Sequence, residues 1–153
     1  MVRKKLQFIY KFIISKFFQI IYGKIVFLNQ NDSDVKLKDV NKGENYYKFI
    51  EINNGRIFTD YIEHVAIINK NQIMDFVSYQ QVKGVFKDPT FNVVIKKGTP
   101  KFKKKFNGKV FSLVQGASGN NNYFHWMFDI LPRLIILEKF YNLNDINFFY
   151  CPQ

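Results

Sequence analysis

A chain of 153 residues is long enough for one compact domain and short for a two-domain enzyme. Hydrophobic residues make up 47% of it and aromatic residues 18%, which excludes disorder over most of its length. The single cysteine, Cys151, excludes an intrachain disulfide and favours a reducing compartment, and with only two histidines the chain has too few ligands for a structural zinc site.

The formal net charge of +11 raises the question of nucleic-acid binding. The lysines are spread along the chain, except at the N-terminus and in "KKGTPKFKKKF" at 96–106, and the whole sequence is rich in Lys, Asn, Ile, Phe and Tyr. This distribution favours a solvated surface or a tether over a phosphate-binding groove. We therefore predict no nucleic-acid partner.

Residues 1–28 are predicted to form a basic amphipathic helix. The apolar side chains that share one helical side are Leu6, Ile9, Ile13, Phe17 and Ile20, and the basic residues are Arg3, Lys4, Lys5, Lys11 and Lys16. The longest uncharged window, 17–23, is far shorter than the ~20 residues of a spanning helix, and lysines inside the apolar run argue against a signal peptide. The segment is predicted either to lie on an anionic membrane surface or to pack on its own domain.

Residues 29–45 begin with "NQNDSD" and are predicted to be a linker. The next segment, 46–107, is predicted to be rich in strands because it contains β-branched and aromatic runs at 56–69, 72–80 and 91–97. The turn pair Asn54-Gly55 leads into the first run. His64 lies inside this run and is predicted to be packed or hydrogen-bonded in a sheet rather than to bind a ligand.

Residues 108–153 are predicted to form a strand-helix-strand unit. Two short apolar strands, Lys109–Gln115 and Ile146–Tyr150, flank a helix from about Tyr123 to Tyr141. Such strands are parallel and buried on both faces. A two-stranded parallel sheet is not a finished domain, so residues 46–153 are expected to be an incomplete part of a longer α/β protein.

The turn "GASGN" at 116–120 falls where open α/β sheets bind ligands, at the carboxyl end of a strand and before a helix. Neither G-x-G-x-x-G nor G-x-S-x-G is complete here, since residue 120 is Asn. Ser118 is therefore predicted to serve the turn rather than to act as a nucleophile.

Two residues of the helix that follows share a face, because His125 and Asp129 are four positions apart. A neutral imidazole near a helix N-terminus can accept a proton, and a carboxylate within reach can orient it. The alternative is a histidine that only caps or packs the turn. Pro132 is predicted to kink the helix or to begin a second one. The side chains predicted to fill the core around the pair are Trp126, Phe128, Ile130 and Leu131.

The string "NNYFHWMFDILPRLIIL" at 121–137 resembles the signature of glycosyltransferase family 61, in which N-Y-x-H-W is followed by an acidic residue and L-P-R-L. The upstream residues 54–80 and the strand "GKVFSL" at 108–113 also fit, so the resemblance covers roughly residues 50–150. It implies an inverting, sugar-nucleotide-dependent enzyme of the GT-B type, with two Rossmann-like domains facing across a cleft. The chain would hold the N-terminal, acceptor-recruiting part, truncated before the donor domain and inactive alone.

The resemblance also implies a set of site residues. His125 and Asp129 would be catalytic, and the residues placed around the substrate would be Asn122, Tyr123, Trp126, Arg133 and Ser118. The sugar nucleotide would be a substrate, with no cofactor and no metal. The implied function is hexosyl or pentosyl transfer to a glycan acceptor in surface polysaccharide synthesis, in the cytoplasm at the inner face of the membrane. The alternative is a non-catalytic, membrane-associated interaction module.

Overall fold

The computed structural model describes residues 2–27, 35–42, 45–59, 64–74, 77–82, 85–87, 89–114 and 123–151. The chain divides into two compact units, the first formed by 1–29 with 55–104 and the second by 30–54 with 105–153. Each unit contains helices and strands, so the protein has a mixed α and β fold.

In chain order the helices and strands are α1 (Val2–Tyr22), β1 (Val26–Phe27), β2 (Val35–Lys42), β3 (Asn45–Ile52), β4 (Arg56–Phe58), β5 (His64–Asn69), β6 (Gln72–Ile73), β7 (Tyr79–Val82), β8 (Val85–Lys87), α2 (Val93–Lys97), β9 (Val110–Ser112), α3 (Tyr123–His125), α4 (Leu131–Leu137) and β10 (Phe148–Tyr150). Short 3₁₀-helices occupy Pro89–Phe91 and Leu143–Asp145, and a π-helix joins α3 to α4 at Trp126–Ile130.

The first unit is built on a sheet with the strand order β1-β6-β5-β7-β8, and β4 also pairs with β5. Strand β1 runs parallel to β6, while the other pairs are antiparallel. Its core brings together the buried side chains Ile25, Phe58, Ala66, Ile68, Ile73 and Val94. Five of the six residues of β5 are buried, and this burial accounts for the almost wholly apolar composition of its β-branched run.

Helix α1 ends at Tyr22, earlier than the predicted boundary at residue 28. Gly23 follows with φ +83°, a conformation that glycine adopts without steric cost and that commonly ends helices. The chain then enters β1, and Ile25 just before that strand is buried in the core. The residues after the helix therefore belong to the sheet of the first unit.

The second unit combines a ribbon and a parallel pair. Strands β2 and β3 are antiparallel from Val35↔Ile52 to Lys42↔Asn45, and β9 pairs with β10 in parallel register from Val110↔Phe148 to Ser112↔Tyr150. Phe49 of β3 packs against the rings of Phe111, Phe140 and Tyr141, with ring centroids 5.0–6.2 Å apart. Strands β9 and β10 pair in parallel as predicted, but they are shorter than expected, and Val110, Phe148 and Phe149 are 39–41% exposed, which corrects the expectation that these strands are buried on both faces. The helix ends at Leu137 instead of Tyr141.

Two predicted segments have a different type of secondary structure from the one predicted. Residues 35–42, predicted as part of the linker 29–45, form strand β2, because the ribbon partner β3 satisfies their backbone and buries Val40. The run 91–97, predicted as a strand, ends in helix α2. Asn92 caps this helix by accepting a hydrogen bond from the amide of Val94, and the core buries Val94 completely.

The run 72–80 was predicted as one strand, but β6 ends at Ile73 and β7 begins at Tyr79. Between them Ser78 turns the chain, since its amide donates to the Met74 carbonyl and its hydroxyl accepts from the Ile67 amide at 2.9 Å. The GT-B arrangement that the resemblance implies stays a prediction.

Candidate functional site

The helical segment that carries His125 is not a uniform α-helix. Between α3 and α4 it widens into the π-helix, in which the amide of Leu131 donates to the carbonyl of Trp126, five residues earlier. Pro132, in the first turn of α4, has no amide hydrogen, and its ring needs space near the carbonyl four residues before it. A wider turn relieves this crowding, so Pro132 lies in the first turn of α4, which begins at Leu131 and continues directly from the π-helix.

The helical segment buries few of its apolar side chains completely and leaves the others half-buried or exposed. Ile130 and Leu137 are fully buried, and Leu113 at the end of β9 is buried as well. Phe128 and Leu131 are exposed, which corrects the prediction that they fill the core, and Trp126 is half-buried. The π-helix explains the difference, because one extra residue in the turn rotates its side chains away from the positions expected of an α-helix.

His125 and Asp129 form the polar pair of this segment. The Nδ1 atom of His125 lies 2.5 Å from Oδ2 of Asp129, and the two side chains are 24% and 43% exposed. A carboxylate beside Nδ1 holds the proton on that nitrogen, which leaves Nε2 as the nitrogen that accepts a proton. The ring of Phe124 meets the imidazole edge to face, with centroids 5.8 Å apart. An oriented, partly accessible imidazole of this kind suits general-base chemistry.

Arg133 fixes where this pair lies relative to the parallel strands. Its Nη1 atom donates a 2.8 Å hydrogen bond to the carbonyl oxygen of Leu113, the residue that follows β9. His125 precedes Arg133 by eight residues, which corresponds to about 12 Å along a helix. Because a helix between two parallel strands runs back along the sheet, residues that precede Arg133 are expected beyond the carboxyl end of β9, on the side where α/β proteins bind ligands.

The other predicted site residues lie partly inside and partly outside the residues that the structure describes. Tyr123 is exposed two residues before His125, and Trp126 follows His125 directly. Arg133 donates to the strand end through Nη1, and its contact with a substrate stays a prediction. Ser118 and Asn122 lie outside the described residues. Within the described ranges, no three His, Cys, Asp or Glu side chains come together in a group that could hold a metal ion.

The structure adds two residues that the sequence interpretation missed, Phe124 and Phe128. Their rings lie 4.7 Å apart, and both are mostly exposed beside His125. Their spacing of four residues, with Phe124 adjacent to the histidine, is the sequence signal that could have identified them. Exposed rings of this kind form a flat apolar surface beside the imidazole.

The other histidine of the chain, His64, is packed in a sheet, as predicted. His64 is buried in β5, is paired in register with Gln80 of β7, and stacks on Phe58 with ring centroids 6.4 Å apart. It belongs to the packing of the first unit. The candidate site therefore depends on His125.

Comparison of the chain with protein-family models, with curated proteins and with solved structures finds no match. Among the helices of the described ranges, none combines the length and the apolar character that are needed to cross a bilayer.

Proposed function

We propose that this protein acts in glycosyl transfer, as the acceptor-binding part of an inverting, sugar-nucleotide-dependent glycosyltransferase of the GT-B type. The observation that supports this most is the 2.5 Å contact between His125 and Asp129 on an exposed helix that follows a parallel strand. The two residues occupy the histidine and acidic positions of the motif that resembles glycosyltransferase family 61.

The proposed reaction uses Nε2 of His125 as the base. It takes the proton of an acceptor hydroxyl while that oxygen forms a bond to the anomeric carbon of the donor sugar. The bond from the anomeric carbon to the nucleoside diphosphate breaks, and the diphosphate leaves with the bonding electrons. Attack opposite to the leaving group inverts the configuration. Asp129 stabilises the imidazolium that forms, and in this scheme it acts through His125.

The exposed rings of Phe124 and Phe128 would support the acceptor sugar beside the base. Tyr123, Trp126, Asn122 and Ser118 complete the substrate-binding residues of the proposal, while Arg133 holds the helix in place. We place the reaction in the cytoplasm at the inner face of the membrane, and its product in a surface polysaccharide. The single cysteine fits a reducing compartment.

A non-catalytic, membrane-associated interaction module is the second candidate. The exposure of nearly all apolar side chains in the first half of α1 favours it, because such a surface needs a partner. The two candidate functions predict different effects of removing the imidazole of His125, because an interaction module keeps its function without it.

The test replaces His125 with Ala, and separately Asp129 with Asn, at the chromosomal locus of cells that produce the protein. Extracts are supplied with radiolabelled UDP-, GDP- and CMP-sugars, and incorporation into surface glycan is compared with a strain that lacks the gene. We expect His125→Ala to lower the gene-dependent rate by ~10²–10⁴ and Asp129→Asn to lower it less. Asp145→Asn, in the 3₁₀-helix at Leu143–Asp145, is the matched control and should retain the full rate.

Immunoblots verify that all variants accumulate equally. A strain without the gene that incorporates every sugar at the normal rate contradicts the glycosyl-transfer proposal. A gene-dependent rate that survives in His125→Ala contradicts the assignment of the base and favours the interaction module.

A further inference from the structure

Helix α1 has two opposite faces with different surroundings. Its last two turns are attached to the first unit: Phe18 is buried, the hydroxyl of Ser15 donates to the carbonyl of Lys97 at 2.5 Å, and Gln19 donates to the carbonyl of Lys96 at 3.3 Å. The hydroxyl of Tyr22 accepts a hydrogen bond from the amide of Lys103. The four α1 residues that make these contacts lie on one side of the helix, because they are spaced three, one and three positions apart.

The opposite side carries an apolar stripe that nothing in the described chain covers. It consists of Leu6, Ile9, Ile13, Phe17 and Ile20, whose exposed fractions range from 49% to 85%. Phe18 and Ile20 differ by two positions, about 200° around the helix, which places them on opposite faces. The stripe follows the spacing of three and four residues that aligns side chains on one helical face. It is continuous over most of α1.

The charge of α1 has one sign. Its basic residues are Arg3, Lys4, Lys5, Lys11 and Lys16, and the helix contains no Asp or Glu. Lys5 and Lys16 lie along one edge of the stripe and Arg3 along the other, since eleven positions bring a helix back to almost the same angle. An apolar stripe with basic edges has the pattern of a helix that lies in the interface of an anionic bilayer.

We infer that the apolar stripe of α1 is a docking surface for an anionic lipid bilayer. The helix lies along the bilayer, with the stripe among the acyl chains, Lys5, Lys16 and Arg3 among the headgroups, and the face around Phe18 toward the first unit. This inference rests on the proposed function in one respect, because it specifies how the protein attaches to the membrane. It does not depend on whether the protein transfers a sugar. Because the binding test uses neither donor nor acceptor, its result does not depend on the chemistry at His125.

Charge favours this occupant over a second copy of the chain. Two stripes placed face to face would bring the basic residues of both helices close together, and the chain as a whole carries a net charge of +11. Like charges at this proximity repel, whereas anionic headgroups attract each lysine near the surface. The absence of acidic residues from α1 leaves no ion pairs that could join two such helices.

The experiment measures co-sedimentation of the full chain with vesicles of phosphatidylglycerol and phosphatidylcholine, and with vesicles of phosphatidylcholine alone. Point variants are required, because Phe18 and Ile25 are buried and deleting the segment would disturb the first unit. The stripe variant is Ile13→Gln with Ile20→Gln, and the edge variant is Lys5→Gln with Lys16→Gln. The control, Phe8→Gln with Phe91→Gln, removes two exposed aromatic side chains outside the stripe.

We expect the wild-type chain to bind the anionic vesicles and to lose most binding at high salt. The stripe variant and the edge variant should each bind roughly tenfold more weakly, and the control should bind within about twofold of wild type. Equal binding to both vesicle types, or equal loss in the stripe and control variants, would overturn the inference. A wild-type dimer in sedimentation velocity would also overturn the inference if the dimer does not bind vesicles and the stripe variant is monomeric. A second copy of the chain would then cover the stripe.

Discussion

Nη1 of Arg133 donates a 2.8 Å hydrogen bond to the carbonyl of Leu113, which ties helix α4 to the end of strand β9 across twenty residues of chain. Leu113 is 5% exposed, so its carbonyl lies where water has little access. Replacing Arg133 with Ala should lower the free energy of unfolding by about 1–3 kcal/mol, because a shielded acceptor loses its donor. Urea unfolding followed by the fluorescence of Trp126, the only tryptophan, measures this directly.

A residue that only binds substrate would behave differently. Arg133→Ala would then unfold at the same urea concentration as wild type and lose only ligand binding. Arg133→Lys is the matched variant, and it should recover part of the stability because an ammonium on a shorter stem still donates a hydrogen bond.

The contact between Glu51 and Tyr141 predicts how the second unit responds to pH. The hydroxyl of Tyr141 donates to Oε2 of Glu51. This hydrogen bond, more than the nearby lysines, lowers the pKa of Glu51 below its ordinary value of 4.5, and it raises the pKa of Tyr141 to about 12. The carboxylate and the neutral phenol are therefore the forms that the folded state favours.

The two groups act at opposite ends of the pH range. The contribution of Glu51 is present above pH 4.5 and is lost as pH falls through its lowered pKa, because the unfolded carboxyl binds the proton more readily. The contribution of Tyr141 is present below pH 10 and is lost as pH rises toward 12, because the unfolded phenol ionises first. Tyr141→Phe should cost about 1 kcal/mol at pH 7 and less at pH 3 and pH 11.

Urea midpoints of wild type and Tyr141→Phe at the three pH values provide the measurement, and Tyr123→Phe, which removes an exposed hydroxyl, is the control. A cost of Tyr141→Phe that is the same at all three values would mean that the hydrogen bond does not discriminate between the ionisation states.

Gly98 closes helix α2 in a backbone conformation that other residues rarely adopt, with φ +66° and ψ −156°. A Cβ at this position would lie 3.0 Å from Cγ of Gln19 in α1. We expect Gly98→Ala to lower the stability of the first unit by about 1–3 kcal/mol, mainly through backbone strain. Differential scanning calorimetry checks the size of the loss.

A double variant separates the two causes at this position. If backbone strain dominates, adding Gln19→Ala to Gly98→Ala should recover little of the lost stability. Full recovery in the double variant would show instead that the side chain of Gln19 is the obstacle.

Asn92 supports α2 through two hydrogen bonds of different direction. Its Oδ1 accepts from the amide of Val94 at 3.2 Å, and its Nδ2 donates to the carbonyl of Val65 at 3.2 Å. Asn92→Ala should lower the free energy of unfolding by about 2 kcal/mol or more, because a cap and a buried donor are lost together. Asn92→Asp keeps the capping oxygen but should be at least as destabilising, since it buries a charge and cannot donate while ionised. Thermal melts of both variants decide this, and an unchanged Asp variant would mean that the donor function is dispensable.

Local periodicity was sufficient where a segment's surroundings are simple. The four-residue spacing of His125 and Asp129 predicts the contact between them, and the two apolar runs at 109–115 and 146–150 predict the parallel pairing of β9 with β10. The spacing in α1 likewise predicts a stripe. It cannot say which face the domain covers, because that depends on partners such as Lys96 and Lys97 about eighty residues later in the chain.

Two of the failures come from tertiary context, and a third comes from a local change in helix type. The run Val93-Val94-Ile95 has the composition of a strand, yet a buried cap at Asn92 and a core position for Val94 make it helical. Residues 35–42 are polar and charged like a linker, but pairing with β3 in the ribbon requires only their backbone groups, and Val40 is buried. The exposure of Phe128 follows from a π-helix, and a local pattern based on an α-helical repeat misplaces its side chains.

The attachment of α1 at only one end has a consequence for its hydrogen exchange. Every side chain from Arg3 to Ile13 is exposed, so those turns are supported by little except their own backbone hydrogen bonds. Helices of about a dozen residues are marginal in water when nothing packs on them. The amides of this half should exchange with deuterium far faster than those around Phe18, whose opening requires the first unit to loosen as well. A surface that covers the stripe would slow that exchange. The free energy of completing the helix would then be included in the free energy of binding.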